Sequence, residues 1–139
     1  MVAKLTRSTD DLGKLLLRLA VGGLLFFHGL FKLRHGIAWI AGPLSHFGLP
    51  GALAYGAYLG EVVAPVLLVA GLWTRLAALA VAVDLGMAIL LVLRGRLFAI
   101  GQSGGWGVEL EAFFILGALA ICLLGAGRYS VSRGAGAWD

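Results

Sequence analysis

Residues 12–33 read LGKLLLRLAVGGLLFFHGLFKL, an apolar stretch of membrane-spanning length that carries an arginine, Arg18, in its first half. A helix of this length crosses the hydrocarbon layer of a bilayer, which is about 30 Å thick. Two later apolar stretches carry Glu61 and Asp84 internally, and a fourth opens with Glu109. A charge at the bilayer centre costs at least about 2.5 kcal/mol, so such residues should pair or line a functional cavity. The sequence therefore predicts a polytopic membrane protein with a polar centre.

The composition excludes a soluble domain. Hydrophobic residues make up 60% of the 139 residues and charged residues 13%, and the mean hydropathy is +0.97. These values are typical of a protein whose solvent is the bilayer. We therefore predict an all-α membrane protein, a four-transmembrane-helix bundle that forms one domain over residues 1–139 and ends in short solvated tails. The predicted spans are residues 12–33, 52–72, 76–93 and 108–124.

The basic residues around the predicted spans indicate the orientation. An even number of spans places both termini on one side, and the side richer in Lys and Arg is cytoplasmic. The count predicts cytoplasmic termini in the cell inner membrane. The net charge of +4 is then explained by flanking residues that meet anionic lipid head groups, and no nucleic acid partner is expected. The terminal side carries Lys4, Arg7, Lys14, Arg75, Arg128 and Arg133, and the opposite side Lys32, Arg34, Arg94 and Arg96.

One face of the first predicted span carries both small and charged residues. Arg18, Gly22, Gly29 and Lys32 follow helical spacing, and the two glycines allow another backbone to approach closely. His28 lies one turn before Lys32, near the extracytoplasmic end. A lysine at that depth either extends to the membrane interface or takes part in a polar site.

Glu61 lies near the middle of the second predicted span, about 14 Å from its outer end. Pro65 has no N–H group and cannot bond the carbonyl of Glu61, which predicts a kink and a free acceptor beside the carboxyl group. Gly56 and Gly60 form a ridge of small residues beside it. A buried carboxyl group can exchange protons near neutral pH, as quinone chemistry requires.

Asp84 lies at a depth similar to that of Arg18, so we expect Arg18 to form a buried pair with Asp84 or Glu61. Glu109 and Glu111 open the fourth predicted span, where the helix dipole favours carboxylates. Two hypotheses stay open for the central charges. They bind a polar head group or relay protons, or they only fix the register of the helices.

The motifs that the chain lacks exclude several cofactors. Cys122 is the only cysteine, which excludes dithiol redox chemistry and iron–sulfur ligation within the chain. His28, His35 and His46 are not spaced as metal ligands, so no metal site is predicted. Residues 101–107, GQSGGWG, lack the ending of a phosphate loop and follow no strand, so no nucleotide site is predicted.

Six short motifs, taken together in their order and spacing, resemble the DoxX family over residues 12–131. They are LRLA at 17–20, FHGLFKL at 27–33, FGLP at 47–50, GEV at 60–62, GLWTRLA at 71–77 and LGAGRYS at 124–130. The resemblance implies a four-helix integral membrane protein. The family's recurrent polar and glycine positions correspond to Arg18, His28, Gly29, Lys32, Glu61, Arg75 and Glu109.

The resemblance also implies a redox-linked role, because DoxX-like and DoxD-like proteins are similar to the membrane subunit of thiosulfate:quinone oxidoreductase. We therefore expect an integral membrane subunit of a redox-linked complex, with quinone as the one cofactor considered. Glu61 and Arg18 would be catalytic, Glu61 exchanging the quinone proton and Arg18 adjusting its acidity. The predicted binding residues are His28, Lys32, Asp84 and Glu109. The predicted partners are the lipid bilayer and either a second copy of the chain or a redox subunit.

The main alternative is a non-catalytic membrane scaffold or assembly factor, a role that other relatives of the family have. In that case Gly29 and the ridge that contains Gly60 would dock partner helices. A transporter is a third hypothesis, because a dimer of four-span chains would supply eight spans.

Overall fold

The computed structural model describes residues 2–139, with side chains from Ser8 onward, so the side chains of Lys4 and Arg7 in the topology count lie outside the described part. The helices are α1 (Val2–His35), α2 (Ala38–His46), α3 (Gly51–Ala70), α4 (Thr74–Leu91) and α5 (Glu109–Leu124). A single turn of 3₁₀ helix, Arg94–Arg96, follows α4. Residues 2–139 contain no strand, only one isolated bridge between Ile100 and Trp106. The predicted all-α class is confirmed.

Three helices are long and apolar enough to cross a membrane: Ser8–His35 within α1, then Gly51–Ala70 and Thr74–Leu91. The second and third of these helices coincide within two residues with the second and third predicted spans. The first helix contains the first predicted span. The helix α5 coincides with the fourth predicted span, but its 16 residues make it shorter than the other three. The fourth span therefore stays a prediction.

Small residues pack the helices closely at the centre. A Cβ atom added to Gly22 of α1 would lie 2.9 Å from the carbonyl oxygen of Pro65 in α3, and one added to Gly117 of α5 would lie 2.7 Å from Val21 of α1. Such short distances are typical of helices that associate through backbone contact in lipid. The buried core consists of Val21, Leu25, Ala64, Leu68, Ala77, Ala78, Val81, Leu85, Phe114, Ala118 and Ile121.

The helix α3 changes geometry along its length. It begins as a 3₁₀ turn (Gly51–Tyr55), passes through an α-helical turn (Gly56–Tyr58) into a π-helical segment (Leu59–Val63), and ends as an α-helix (Ala64–Ala70). Because Pro65 cannot donate to the preceding turn, the widened segment lies directly before it. The sequence predicted a kink at Pro65, and the structure has a π-helical segment at Leu59–Val63.

The segment 125–139 contains no helix, and although most of its residues are exposed, its backbone is bonded to the bundle. The amides of Val131 and Ser132 donate to the carbonyls of Ala70 and Gly71, 3.0 and 3.3 Å away. The amide of Arg75 donates to the carbonyl of Trp138, 2.8 Å away. These bonds hold the segment across the turn between α3 and α4, so it covers the end of the bundle that carries both chain ends.

Candidate functional site

The site begins where α1 and α3 touch through their backbones. A Cβ atom on Gly29 would overlap the carbonyl group of Glu61, the group that Pro65 leaves without an α-helical donor. Only glycine allows this approach at position 29. The predicted free acceptor therefore lies against α1, and the contact fixes the depth of Glu61 relative to Lys32, which lies one turn beyond Gly29.

Lys32 and Glu61 form an ion pair in which the Lys32 Nζ lies 2.6 Å from the Glu61 Oε1, and both side chains are largely buried. The Nζ also lies 5.8 Å from the centre of the Trp39 ring, over its face. A buried ion pair is expensive to form unless other polar contacts support it, so its presence in an apolar setting indicates a site. Lys32 therefore contacts a buried carboxyl group, and its role in binding stays a prediction.

Asp84 brings a second carboxyl group to the pair. A Cβ atom on Gly60 would overlap the Cβ and carboxyl group of Asp84, so α4 places this side chain directly over the glycine that precedes Glu61. Asp84 lies within electrostatic reach of both Glu61 and Lys32. The carboxyl groups of Glu61 and Asp84 and the ammonium group of Lys32 therefore lie in one cluster.

Glu61 is only 4% exposed, and its Oε2 has no hydrogen-bond partner in the described part of the chain. Buried polar atoms are nearly always hydrogen-bonded, and an exception needs an explanation such as an occupant of the site. The free oxygen can accept a hydrogen bond when the group is ionised and donate one when it is protonated.

A cavity of about 510 Å³ surrounds these groups and takes most of its wall from apolar side chains. Phe27 and Phe31 line it although they are 67% and 58% exposed, so the cavity opens onto the outer face of α1. The ring of His28 meets that of Phe114 edge-on, with 6.1 Å between their centres. The polar lining is His28, Lys32, Glu61, Asp84 and Glu111, and the apolar lining includes Leu25, Trp39, Ile40, Leu44, Leu53, Ala54, Ala57, Leu85, Met87, Ala88, Leu91 and Leu110.

The family model described as DoxX matches residues 13–94, which contain α2, α3, α4 and most of α1. This match covers more than half of the chain. The chain belongs to the DoxX family. It is accordingly a multi-pass integral membrane protein in contact with lipid, as the three long apolar helices also indicate. No curated protein and no solved structure matches the chain.

In this DoxX-family chain the predicted pairing of Arg18 with Glu61 or Asp84 is wrong. The Arg18 guanidinium donates instead to the carbonyls of Leu68, Val69, Ala126 and Tyr129, at 2.6 to 3.0 Å. Along α1, Arg18 lies about 16 Å from Gly29 and about 21 Å from Lys32. The carbonyls that end a helix have no partner within it, so they provide acceptors at this depth. Gly71, where a Cβ would lie 2.6 Å from the guanidinium, leaves the space for it.

The two carboxylates that open α5 separate in space. The Oε2 of Glu109 accepts a hydrogen bond from the amide of Trp106, 3.1 Å away, and Glu109 lies outside the cavity. Glu111 lines the cavity, although sequence reasoning chose Glu109 for the binding role. The four other predicted residues that the structure brings together around the cavity are His28, Lys32, Glu61 and Asp84.

Sequence reasoning missed two aromatic residues that hold Lys32. Trp39 lies on α2, which the sequence did not predict because α2 contains Pro43 and proline interrupts helical patterns. The hydroxyl of Tyr58 donates to the carbonyl of Lys32, 3.3 Å away. The position of Tyr58, three residues before Glu61, is the one signal that could have indicated this contact.

Proposed function

We propose that this protein is the membrane subunit of a redox-linked complex and that its cavity binds a quinone. The observation that carries the proposal is the unpaired Oε2 of Glu61 within a largely apolar cavity that opens toward lipid. A quinone combines an apolar body with two polar oxygens, and apolar pockets with a few convergent polar groups are the usual sites for such ligands.

In this proposal Lys32 binds the ligand and Glu61 exchanges a proton with it. The Lys32 ammonium group can donate to a ring oxygen, and the Glu61 Oε2 can accept a proton from a ring hydroxyl or return it. The Lys32 Nζ lies 2.6 Å from the Glu61 Oε1, so the group that donates to the ring oxygen and the group that exchanges the proton are held side by side. The electrons belong to a partner subunit of the complex in this proposal, and the role of this chain is ligand binding and proton exchange.

The scaffold alternative has less support from the packing. It needs Gly29 and Gly60 to be open to partner helices, but these positions are occupied within the chain by the Glu61 backbone and the Asp84 side chain. Gly56 has open space around it. Of these three glycines, only Gly56 is therefore accessible to a partner helix.

The proposal is tested by titrating the purified chain with decylubiquinone and following the quenching of tryptophan fluorescence, to which Trp39 in the cavity wall should contribute. Glu61→Gln replaces the carboxyl group by an amide that cannot exchange a proton, and it should weaken binding at least about tenfold, because the buried site is complementary to the carboxyl group. Glu109→Gln is the matched control, since it makes the same chemical change outside the cavity. Equal affinity in the wild type and both variants would rule out the cavity as the quinone site.

A second test concerns the role in the complex. The chain is isolated from its native membrane in mild detergent, and the intact particle is analysed by mass spectrometry for protein subunits and retained quinone. A redox subunit at fixed stoichiometry with bound quinone is expected. A quinone-free assembly of copies of this chain alone, or with an unrelated membrane protein, would favour the scaffold.

The fourth span, the inner-membrane location and the cytoplasmic termini are part of the same proposal. The helix α5 is apolar after its first turn and packs against α4, so we infer that it crosses the membrane with the help of its flanking loops. With Cys122→Ser as background, single cysteines at Ser8, Ser132 and Ser103 report the sidedness of three segments. Labelling of intact cells by an impermeant maleimide should reach only position 103.

A further inference from the structure

A second cavity, polar where the first is apolar, lies at the opposite end of the bundle. This cleft of about 710 Å³ lies between the start of α1 and the segment 125–139. Its lining includes Lys14, Arg75, Arg128 and Arg133, with Asp11 and Asp139. None of these residues takes part in the quinone site proposed above, so the cleft needs its own explanation.

The cleft has a fixed framework. Arg18 donates to the carbonyls of Ala126 and Tyr129. Gly127 lies between these two residues and contacts Lys14, which is one turn before Arg18 on α1. Gly127 has a φ of +72°, and a Cβ atom there would lie 3.0 Å from the Cδ of Lys14. The absence of a side chain at Gly127 therefore lets the stem of Lys14 pack on the segment, with its ammonium group at the cleft.

Two of the three acidic residues of the cleft accept hydrogen bonds within the chain. The Oδ1 of Asp11 accepts the amide of Arg128 at 3.1 Å, and the Oδ1 of Asp139 accepts the amide of Thr74 at 3.1 Å. Arg75 is engaged too, since it donates to the carbonyls of Asp139 and Cys122 at 3.0 and 2.8 Å.

The other three basic side chains lack acceptors. Among residues 8–139 the charged ends of Lys14, Arg128 and Arg133 have no hydrogen bond or ion pair. Asp10 is the one acidic lining residue without such a contact. Four basic side chains against three acidic ones leave the lining with a small excess of positive charge, and three of the basic groups keep their donors available to a ligand.

We propose that this cleft binds the phosphate of an anionic lipid head group. Phosphate is the anion that a cluster of Arg and Lys side chains recognises best, because it offers several acceptor oxygens to charged donors. The cleft lies at the head-group level of the bundle, because Thr74 begins one candidate span and Leu124 ends α5. Leu123 and Leu124 are exposed beside it and offer apolar surface to an acyl chain. A lipid can contact both the basic side chains and the apolar surface, whereas free phosphate can contact only the basic side chains.

The experiment measures the thermal midpoint of the delipidated chain in neutral detergent during titration with dioleoylphosphatidylglycerol, dioleoylphosphatidylcholine or inorganic phosphate. Phosphatidylglycerol should raise the midpoint of the wild type, and the two other additions should leave it unchanged. In the double variant R128Q/R133Q the apparent affinity for phosphatidylglycerol should fall at least about tenfold, since each basic residue near an anionic lipid contributes severalfold.

The matched control is R94Q/R96Q, which removes the same two charges from exposed arginines at the other end of the bundle. It should keep the wild-type response. An equal loss of affinity in both double variants would overturn the proposal, because the attraction would then be general rather than local. A shift with inorganic phosphate equal to that with phosphatidylglycerol would also overturn it, since the lipid would not be the ligand. Wild-type midpoints of both variants without additives establish that they are folded.

Discussion

Two buried charged residues, Arg18 on α1 and Glu61 on α3, differ in how many hydrogen bonds they form within the chain. Arg18 is 1% exposed, and its guanidinium donates to four backbone carbonyls. Glu61 is 4% exposed, yet one of its two oxygens has no partner among the described residues. Burial alone therefore does not distinguish Arg18 from the residue that we propose to bind the ligand. What separates them is whether the hydrogen-bonding capacity is used up within the chain.

The largest effect is expected where the charge is fully satisfied. Arg18→Met removes every donor and leaves four carbonyls without their charged partner, two at the end of α3 and two in the segment 125–139. Because each buried unsatisfied group is costly, the free energy of unfolding should fall by about 3 kcal/mol or more. Unfolding by sodium dodecyl sulfate in mixed micelles measures it.

Two further variants sharpen that prediction. Arg18→Lys keeps the charge and three donors and should recover part of the loss. Arg34→Met changes an exposed arginine of the same helix and should have almost no effect. Wild-type stability in Arg18→Met would contradict the structural role, whereas quinone affinity per folded molecule should stay unchanged in that variant.

The contact between α1 and α3 at the cavity end should be the next most sensitive feature. Gly29→Ala forces a methyl group into the Glu61 carbonyl, so the helices must separate at a cost of about 2 kcal/mol. The separation should also lengthen the Lys32–Glu61 pair and weaken quinone binding. Unfolding in mixed micelles and fluorescence titration follow the two effects.

Gly23→Ala is the control, because an added methyl group meets nothing within 4 Å there. Alanine favours a helix over glycine by about 1 kcal/mol, so this variant should be as stable as the wild type or slightly more stable. Identical behaviour of the two alanine variants would mean that the backbones do not approach as described.

The ion pair itself should give a smaller effect that depends on which partner is removed. Lys32→Met leaves the Glu61 carboxylate buried and unpaired, so it should destabilise more than the double variant K32M/E61Q, in which neither charge remains. A double-mutant cycle should yield a coupling of about 1 to 2 kcal/mol. Additive effects would show that the two groups do not interact in the folded protein.

The sequence predicted the features that depend on spacing along one helix. Gly22, Gly29 and Lys32 were expected on one face of α1, and Pro65 was expected to free the carbonyl of Glu61. Both follow from covalent structure and helical periodicity, which the chain carries locally. The depth of each charge could also be estimated from the ends of its span.

The partners of those charges could not be predicted in the same way. Arg18 and Asp84 have similar depth and opposite sign, which made a pair plausible, but depth does not fix the direction in which a side chain points. The acceptors of Arg18 are backbone carbonyls, which every residue has and which no sequence pattern marks. Trp39 was hidden because Pro43 interrupts the pattern of α2, whose core contacts outweigh the proline.

The smallest expected effect distinguishes the neighbouring carboxylates Glu109 and Glu111, which sequence alone left in competition. Glu111 lines the cavity, where its carboxyl group joins those of Glu61 and Asp84 and the ammonium group of Lys32 in the polar part of the wall. Glu111→Gln should change quinone affinity only about two- to fivefold, since α5 carries it at the partly exposed rim. Glu109→Gln should leave the affinity unchanged, because its amide oxygen can still accept from Trp106. Fluorescence titration of the two variants resolves the difference. A larger effect at position 109 than at position 111 would contradict the assignment of Glu111 to the cavity wall, because Glu109 would then be the carboxylate closer to the quinone.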